Sequence, residues 1–367
     1  MRARWRWWLL GVLAAANLYV WVVRPLVTPP AAPAAPGPAV TQGSSLGGRP
    51  APDFTLVDQF GRRVTLSAFR GKTVVLAFVD SMCTTICPLT TQSMLDAMAL
   101  LGPKAAAHVE LLGVDANPDA ISVADVRRYS LAHGLERRWL FLTGSLKELQ
   151  AVWKAYGIYV AVEHGQIDHT PALYVISPAG REERVYLTSG QYGLLGPEAA
   201  ALAAEVARFL PPDARPTNLQ PAVVPPLVHR TTAVALPTLT ARGLGAAVTV
   251  AADRPRLMVF WASWAPDAVA GLKALNAWAA AHPGFPPVYA VDVADTEPGL
   301  AAAERAARAL GPRPAVRVVV DRTGQVADAY DVQDLPWIAW VDGKGRILWQ
   351  HDGWAPPATV AARVAAR

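Results

Sequence analysis

VDSMCTTICPLTTQSM, residues 79–94, contains Cys83 and Cys87, the two cysteines of a 367-residue chain, with Pro88 directly after the second. Two thiols separated by three residues can close a disulfide, hold a soft metal or attack a substrate. The flanking sequence says where they stand. KTVVLAFVD, ending at Asp80, is an apolar run of strand length, and LTTQSMLDAMALLG has helical spacing with a glycine stop at Gly102. The pair therefore sits where a strand feeds a helix N-terminus, whose free amides favour thiolate over thiol. Pro88 suits a first helical turn, where its missing N–H costs nothing. If both cysteines lie on the helix, their four-residue spacing puts the sulfurs on one face.

Outward from that stretch the chain divides into five parts. Arg2, Arg4 and Arg6 precede an uncharged run from Trp7 to Val23, which as a helix spans about 26 Å. This predicts an uncleaved anchor over residues 1–27, with the N-terminus inside and the rest of the chain on the extracytoplasmic side of the cell membrane as a single-pass protein. Residues 28–49, rich in Pro, Ala and Gly, read as a tether. Residues 50–210 form a first domain, the proline-rich stretch 211–232 a linker, and residues 233–367 a second domain. The net charge of +5 is scattered and partly belongs to the anchor arginines, so nucleic-acid binding has no support.

Each domain alternates strand and helix signals. In the first, VELLGVDAN is a buried strand, ISVADVRRYSLAHG and SLKELQAVWKAYG are helices, and PALYVISPAGREERVYLT is a hairpin turning at Gly180. The second repeats the order with RPRLMVFWASW, DAVAGLKALNAWAAAH, PPVYAVDVAD, GLAAAERAARALG and LPWIAWVDGKGRILWQHDG. The fold class is α/β, a mixed sheet with helices on both faces, occurring twice. Phe78 stands five residues before Cys83 as Phe260 stands before Ala265. Pro171 stands nine before Gly180 as Pro336 stands before Gly345.

These landmarks resemble the thioredoxin fold, in which a redox pair opens the first long helix and a cis-proline before the hairpin faces it. FWASWAPDA, residues 260–268, and DLPWIAWVDGKG, residues 334–345, are similar to the active-site and cis-proline segments of membrane-tethered thioredoxins. Ala265 and Ala268 occupy the cysteine positions, so this domain has no sulfur to exchange. Trp264 and Trp337 are expected to flank its empty site, as core residues or as a rim for a partner.

The first domain is more specific. PDFTLVDQFGRRVTLSAFRGKTVVLAFVDSMCTTICP and, much later, IDHTPALYVISPAGRE resemble the Sco/SenC family of copper-handling proteins, marked by C-x-x-x-C-P and a distant histidine. LLGVDANPD and RWLFLTGSLKEL fall at further family segments, while VDSMC stands where the family has an aromatic-Thr sequence. The resemblance covers about residues 50–210. It implies metal ligands Cys83, Cys87 and His169, copper as Cu(I) or Cu(II), and a client in cytochrome c oxidase subunit II or another cuproprotein, with a separate copper donor. Two thiolates suit Cu(I), and one imidazole accommodates Cu(II). His169 lies two residues before Pro171, in the loop expected to face the cysteines, and Asp168 is a candidate to orient it. The reading is a membrane-tethered metallochaperone more than an enzyme. Its alternative is a thiol-disulfide oxidoreductase, with Cys83 and Cys87 as a catalytic redox pair that reduces the client's cysteines before metallation.

Overall fold

The run TVVLAFV forms a strand, Thr73–Val79, with every residue buried. Val75, Ala77 and Val79 face one hydrophobic cluster and Val74, Leu76 and Phe78 face another. This is the period-two alternation of a strand covered on both sides. The structure, a computed structural model, describes residues 43–365 apart from 222, 225–227, 241, 251–252 and 312–313. The anchor expected over 1–27 and the tether up to residue 42 lie outside the described residues. Among the described residues no helix is long and apolar enough to cross a membrane.

In chain order the first domain comprises β1 (Ser44–Pro50), β2 (Thr55–Val57), β3 (Arg63–Thr65), β4 (Thr73–Val79), α1 (Ile86–Leu101), α2 (Pro103–Ala106), β5 (Val109–Asp115), α3 (Val123–Ala132), β6 (Leu140–Leu142), α4 (Leu146–Tyr156), β7 (Val160–Glu163), β8 (Gln166–His169), β9 (Ala172–Ile176), β10 (Arg181–Leu187) and α5 (Leu195–Ala207). Its main sheet has the order β1-β10-β9-β4-β5-β6. Helices α1, α3 and α5 cover the Val75 face, and α4 covers the Phe78 face with Leu149, Val152, Trp153 and Tyr156. Ser122 with Asp125 and Ser145 with Glu148 close capping boxes at the starts of α3 and α4, satisfying amides that have no partner within the helix.

One expectation fails here. The end of the tether is a strand: Ser44 pairs with Val185 and Pro50 with Arg181. Gly and Pro lowered its apparent strand propensity, but the unpaired edge of β10 supplies hydrogen-bond partners that composition does not reveal.

The second domain follows after residues 208–233. It comprises β11 (Val234–Thr240), β12 (Gly243–Val250), β13 (Arg256–Trp261), α6 (Ala268–Ala281), β14 (Val288–Val293), α7 (Leu300–Arg308), β15 (Arg317–Asp321), α8 (Gln325–Ala329), β16 (Trp337–Val341), β17 (Ile347–Asp352) and α9 (Pro357–Ala365). The sheet order is β12-β11-β15-β14-β13-β16-β17. Stripped of β1 and of the β11–β12 hairpin, the two sheets have one topology, with β13, β14, β15, β16 and β17 in the places of β4, β5, β6, β9 and β10. The register agrees as well. Ala77, one before Phe78, pairs with Leu173, two after Pro171, and Val259 pairs with Ile338 in the same relation to Phe260 and Pro336. Leu335–Pro336 is a cis peptide, whereas the bond before Pro171 is not.

The domains touch. His133, at the end of α3, is buried between Tyr129 and Trp264, with ring centroids 4.2 and 4.7 Å away. Burial pushes its pKa down from 6.5 to about 3, so the folded protein holds a neutral imidazole that the unfolded chain would protonate. The sign follows directly. This contribution to stability is intact above pH 6.5 and declines as pH falls toward about 3, by at most about 1.4 kcal/mol per pH unit. In a His133→Phe variant, denaturant melts should show a shallower loss of stability across that window, by up to one proton. An unchanged slope would assign the acid sensitivity to other groups.

Candidate metal and thiol site

The β4–α1 junction builds the site. Beyond Val79 the chain turns, and the Cys83 amide donates to the Asp80 carbonyl at 3.1 Å. Helix α1 begins at Ile86, so Cys87 is in its first turn while Cys83 precedes it. The two cysteines therefore do not share a helical face. Thr85, at the N-cap, makes no side-chain cap. Instead the Cys87 amide donates to Cys83 Sγ at 3.4 Å. Sulfur occupies the role that a Ser, Thr or Asp oxygen usually fills at a helix start.

His169 comes from the opposite side of the sheet edge. It ends β8, and its Nε2 lies 3.3 Å from Cys87 Sγ. Its Nδ1 lies 3.2 Å from the Thr170 carbonyl, which assigns the ring proton to Nδ1 and leaves the Nε2 lone pair toward the thiol. Asp168 is exposed and does not hold the ring. In an antiparallel hairpin adjacent side chains point to opposite faces, so Asp168 cannot share the direction of His169. His164, at φ 52 in the β7–β8 turn, is exposed.

The two sulfurs are unequal. Cys83 is half-buried, and its hydrogen bond with Cys87 holds its pKa below the ordinary thiol value, against an opposing effect of desolvation. Cys87 is 1% exposed. Burial first, and then the neighbouring Cys83, push its thiol well up. The same loss of water lowers the pKa of His169. Cys83 is thus the more acidic of the two thiols, and Cys87 keeps its proton, with His169 Nε2 3.3 Å from its sulfur. Both cysteines are free. Among the described residues no three His, Cys, Asp or Glu side chains close into a ready metal cage. The donors form a relay, Cys83 to Cys87 to His169, and this soft S, S, N set fits copper.

Asp80 was not singled out from the sequence. It is 6% exposed, and its Oδ1 accepts from the Met82 amide at 2.8 Å and from Asn117 Nδ2 at 2.6 Å. Its charge acts on both Cys87 and His169, disfavouring thiolate and favouring imidazolium. The signal was present in VDSMC, where Asp80 belongs to the departure from the family's usual aromatic-Thr sequence. Met82 points away, half exposed, with Arg128 Nη2 3.0 Å from its sulfur.

In the second domain the corresponding position is closed. Ala265 and Ala268 are 5% and 3% exposed, and Trp337 is buried against Phe260. Trp337 is therefore core rather than rim. Trp264 donates from Nε1 to the Thr296 carbonyl at 3.0 Å, and its ring lies against His133.

Residues 43–194 match the family model described as SCO1/SenC. The mitochondrial SCO2 homolog of Bos taurus is 30% identical over 135 residues, covering 35% of this chain and 50% of that protein. The SCO1 protein homolog of Bacillus subtilis (strain 168) is 26% identical over 138 residues, covering 36% of this chain and 71% of that protein. Among solved structures, apo Sco1 from Thermus thermophilus is similar over 46% of this chain and 96% of its own, at 25% identity and TM-score 0.40. Arabidopsis thaliana ScoI with copper bound is similar over 43% and 99%, at 22% identity and TM-score 0.38. The chain spans about half the length of several curated relatives it matches. Over residues 43–194, its first domain, the chain is similar to the SCO1/SenC family.

Proposed function

We propose that the protein is a membrane-tethered copper chaperone, with copper as its cargo, that serves assembly of the dinuclear copper site of cytochrome c oxidase subunit II or a similar extracytoplasmic cuproprotein. One observation carries the reading. Cys87 Sγ lies 3.3 Å from His169 Nε2 and the Cys87 amide donates to Cys83 Sγ at 3.4 Å, bringing two soft donors and an imidazole from distant parts of the sequence to one place. Nδ1 is already engaged by the Thr170 carbonyl, so the lone pair at Nε2 is oriented before any metal arrives. Loading then requires Cys87 to release its proton to solvent, because Cys83 Sγ and His169 Nε2 are themselves the donors the metal would use. A half-buried Cys83 leaves one ligand within reach of a donor or a client.

Anaerobic titration tests this. The chain should take up one copper. Cys83→Ser and Cys87→Ser should each abolish tight binding, because a hydroxyl does not replace a thiolate for Cu(I). His169→Ala should weaken Cu(II) more than Cu(I), imidazole being the harder ligand. Unchanged binding of both oxidation states by His169→Ala would sink the three-donor site.

The inequality of the sulfurs favours a second reading, a thiol-disulfide reductase acting on the client's cysteines. A low-pKa, accessible Cys83 suits a nucleophile and a buried Cys87 a resolving thiol. Under either reading iodoacetamide should modify Cys83 of the metal-free protein before Cys87, as followed by mass spectrometry. In a Cys83→Ser background, Asp80→Asn should speed modification of Cys87 by removing a nearby negative charge. Faster reaction at Cys87 than at Cys83 would reverse the assignment. His169→Ala separates the readings, since it impairs Cu(II) binding but leaves a reductase its two thiols.

A further inference from the structure

We propose that the cysteine-less domain is a receptor for the chain's own first domain. The face where an active thioredoxin would bind its substrate holds the Tyr192 loop, residues 188–194, and Asp328 is the residue that grips it. The inference is independent of the copper reading.

Asp328, on α8, accepts from two consecutive backbone amides of the first domain. The Tyr192 N–H meets Oδ1 and the Gly193 N–H meets Oδ2, both at 2.8 Å. One carboxylate thus takes two adjacent N–H groups of a turn, a charge-assisted pairing that fixes direction as well as distance. The fit around it is close. Gly324, at φ +65, leads into α8, and a Cβ built there would lie 2.1 Å from Tyr192 Cβ and 2.6 Å from Asp295 Oδ2. A Cβ on Gly193 would come 2.9 Å from Asp328 Oδ2. Tyr192 is 2% exposed, and with Leu89 and Leu195 it joins the hydrophobic core that includes Ala265, Ala268 and Trp337. Asp295, buried beside this contact, has no hydrogen-bond partner for either carboxyl oxygen, and burial pushes its pKa well up.

A second patch completes the contact. His133 covers the Trp264 ring, and Gly134 approaches so closely that a Cβ would lie 2.7 Å from Pro298 Cβ. Helix α1 also packs on the turn Ala294–Thr296. Trp264 belongs to the degenerate active-site segment, and Leu335–Pro336 is the cis-proline position. Of these, Trp264 touches the first domain directly, through His133. The Tyr192 loop is tied at its other end to the helix that carries Cys87, through Thr188 Oγ1 at 2.8 Å from Thr90 Oγ1. The occupant of the groove is therefore this chain and not a client.

The test separates the domains covalently and asks whether they part. A protease site is inserted at Val223, which is 74% exposed in the connection, and the full chain is purified and cut. The two fragments should co-elute in size-exclusion chromatography at micromolar concentration. Elution as separate domains would overturn the proposal. Asp328→Asn, which leaves one amide without an acceptor, and Gly193→Ala, which forces a methyl onto the carboxylate, should each weaken association by roughly tenfold or more. The two variants lie in different domains, and circular dichroism of the uncut chain checks that each is folded. If both variants stay associated as tightly as the parent, Asp328 is not the grip and the assignment fails.

Discussion

The hydrogen bond from the Cys87 amide to the Cys83 sulfur organises the first domain's functional end. Strand β4 is buried on both faces, so its chain must leave the sheet abruptly, and α1 starts with amides that no earlier turn can satisfy. Thr85 does not cap them. The sulfur of Cys83 does; its pKa is lowered first by the hydrogen bond with the Cys87 side chain, and the amide donor adds to that effect. Helix geometry and sulfur reactivity are one arrangement here. Replacing Cys83 by a residue without an acceptor would disturb both.

Around that bond the environment separates two chemically identical side chains. Cys87 lies in the hydrophobic cluster with Met94, Val175 and Tyr129, where desolvation disfavours charge, and Asp80 adds a negative field from the turn. His169 is made neutral by the same burial. Cys87, whose thiol burial keeps protonated, lies 3.3 Å from the imidazole Nε2. A site of this kind needs no cage built in advance. It needs donors close enough for one proton to be exchanged for one cation.

The elements legible in the sequence were those with a strong period. TVVLAFV, the helix that stops at Gly102, the helix in SLKELQAVWKAYG and the Gly180 turn all appear where local pattern puts them. Strand β1 was hidden because its partner, β10, lies more than a hundred residues away and its own residues are Gly, Ser and Pro. Spacing alone cannot show that α1 begins only at Ile86, which leaves Cys83 ahead of the helix. Asp168 looked like the partner of His169 through adjacency, but a strand turns neighbours to opposite faces, and the ring found the Thr170 carbonyl instead. Asp80 shows the converse. It belonged to a recognised departure from the family pattern, yet its nearness to Cys87 depends on the turn after β4 and on Asn117 of the next β–α loop.

The duplicated fold explains why one copy keeps an accessible site and the other is closed. A thiolate at position 265 could not be covered by another domain without losing its hydration, a cost that would oppose docking. Alanine carries no such cost. With Ala265 and Ala268 that part of the surface is small and apolar, and Leu89, Tyr192 and Leu195 share a core with it, while Asp328 alongside holds the Tyr192 loop. His133 is neutral in the fold and so can lie on Trp264 without bringing a charge into the contact. In the first domain the corresponding position holds Cys83, which stays half-buried. The absence of sulfur at 265 and 268 and the presence of an internal partner are in this sense compatible: a groove without a thiolate has no such charge whose hydration docking must displace.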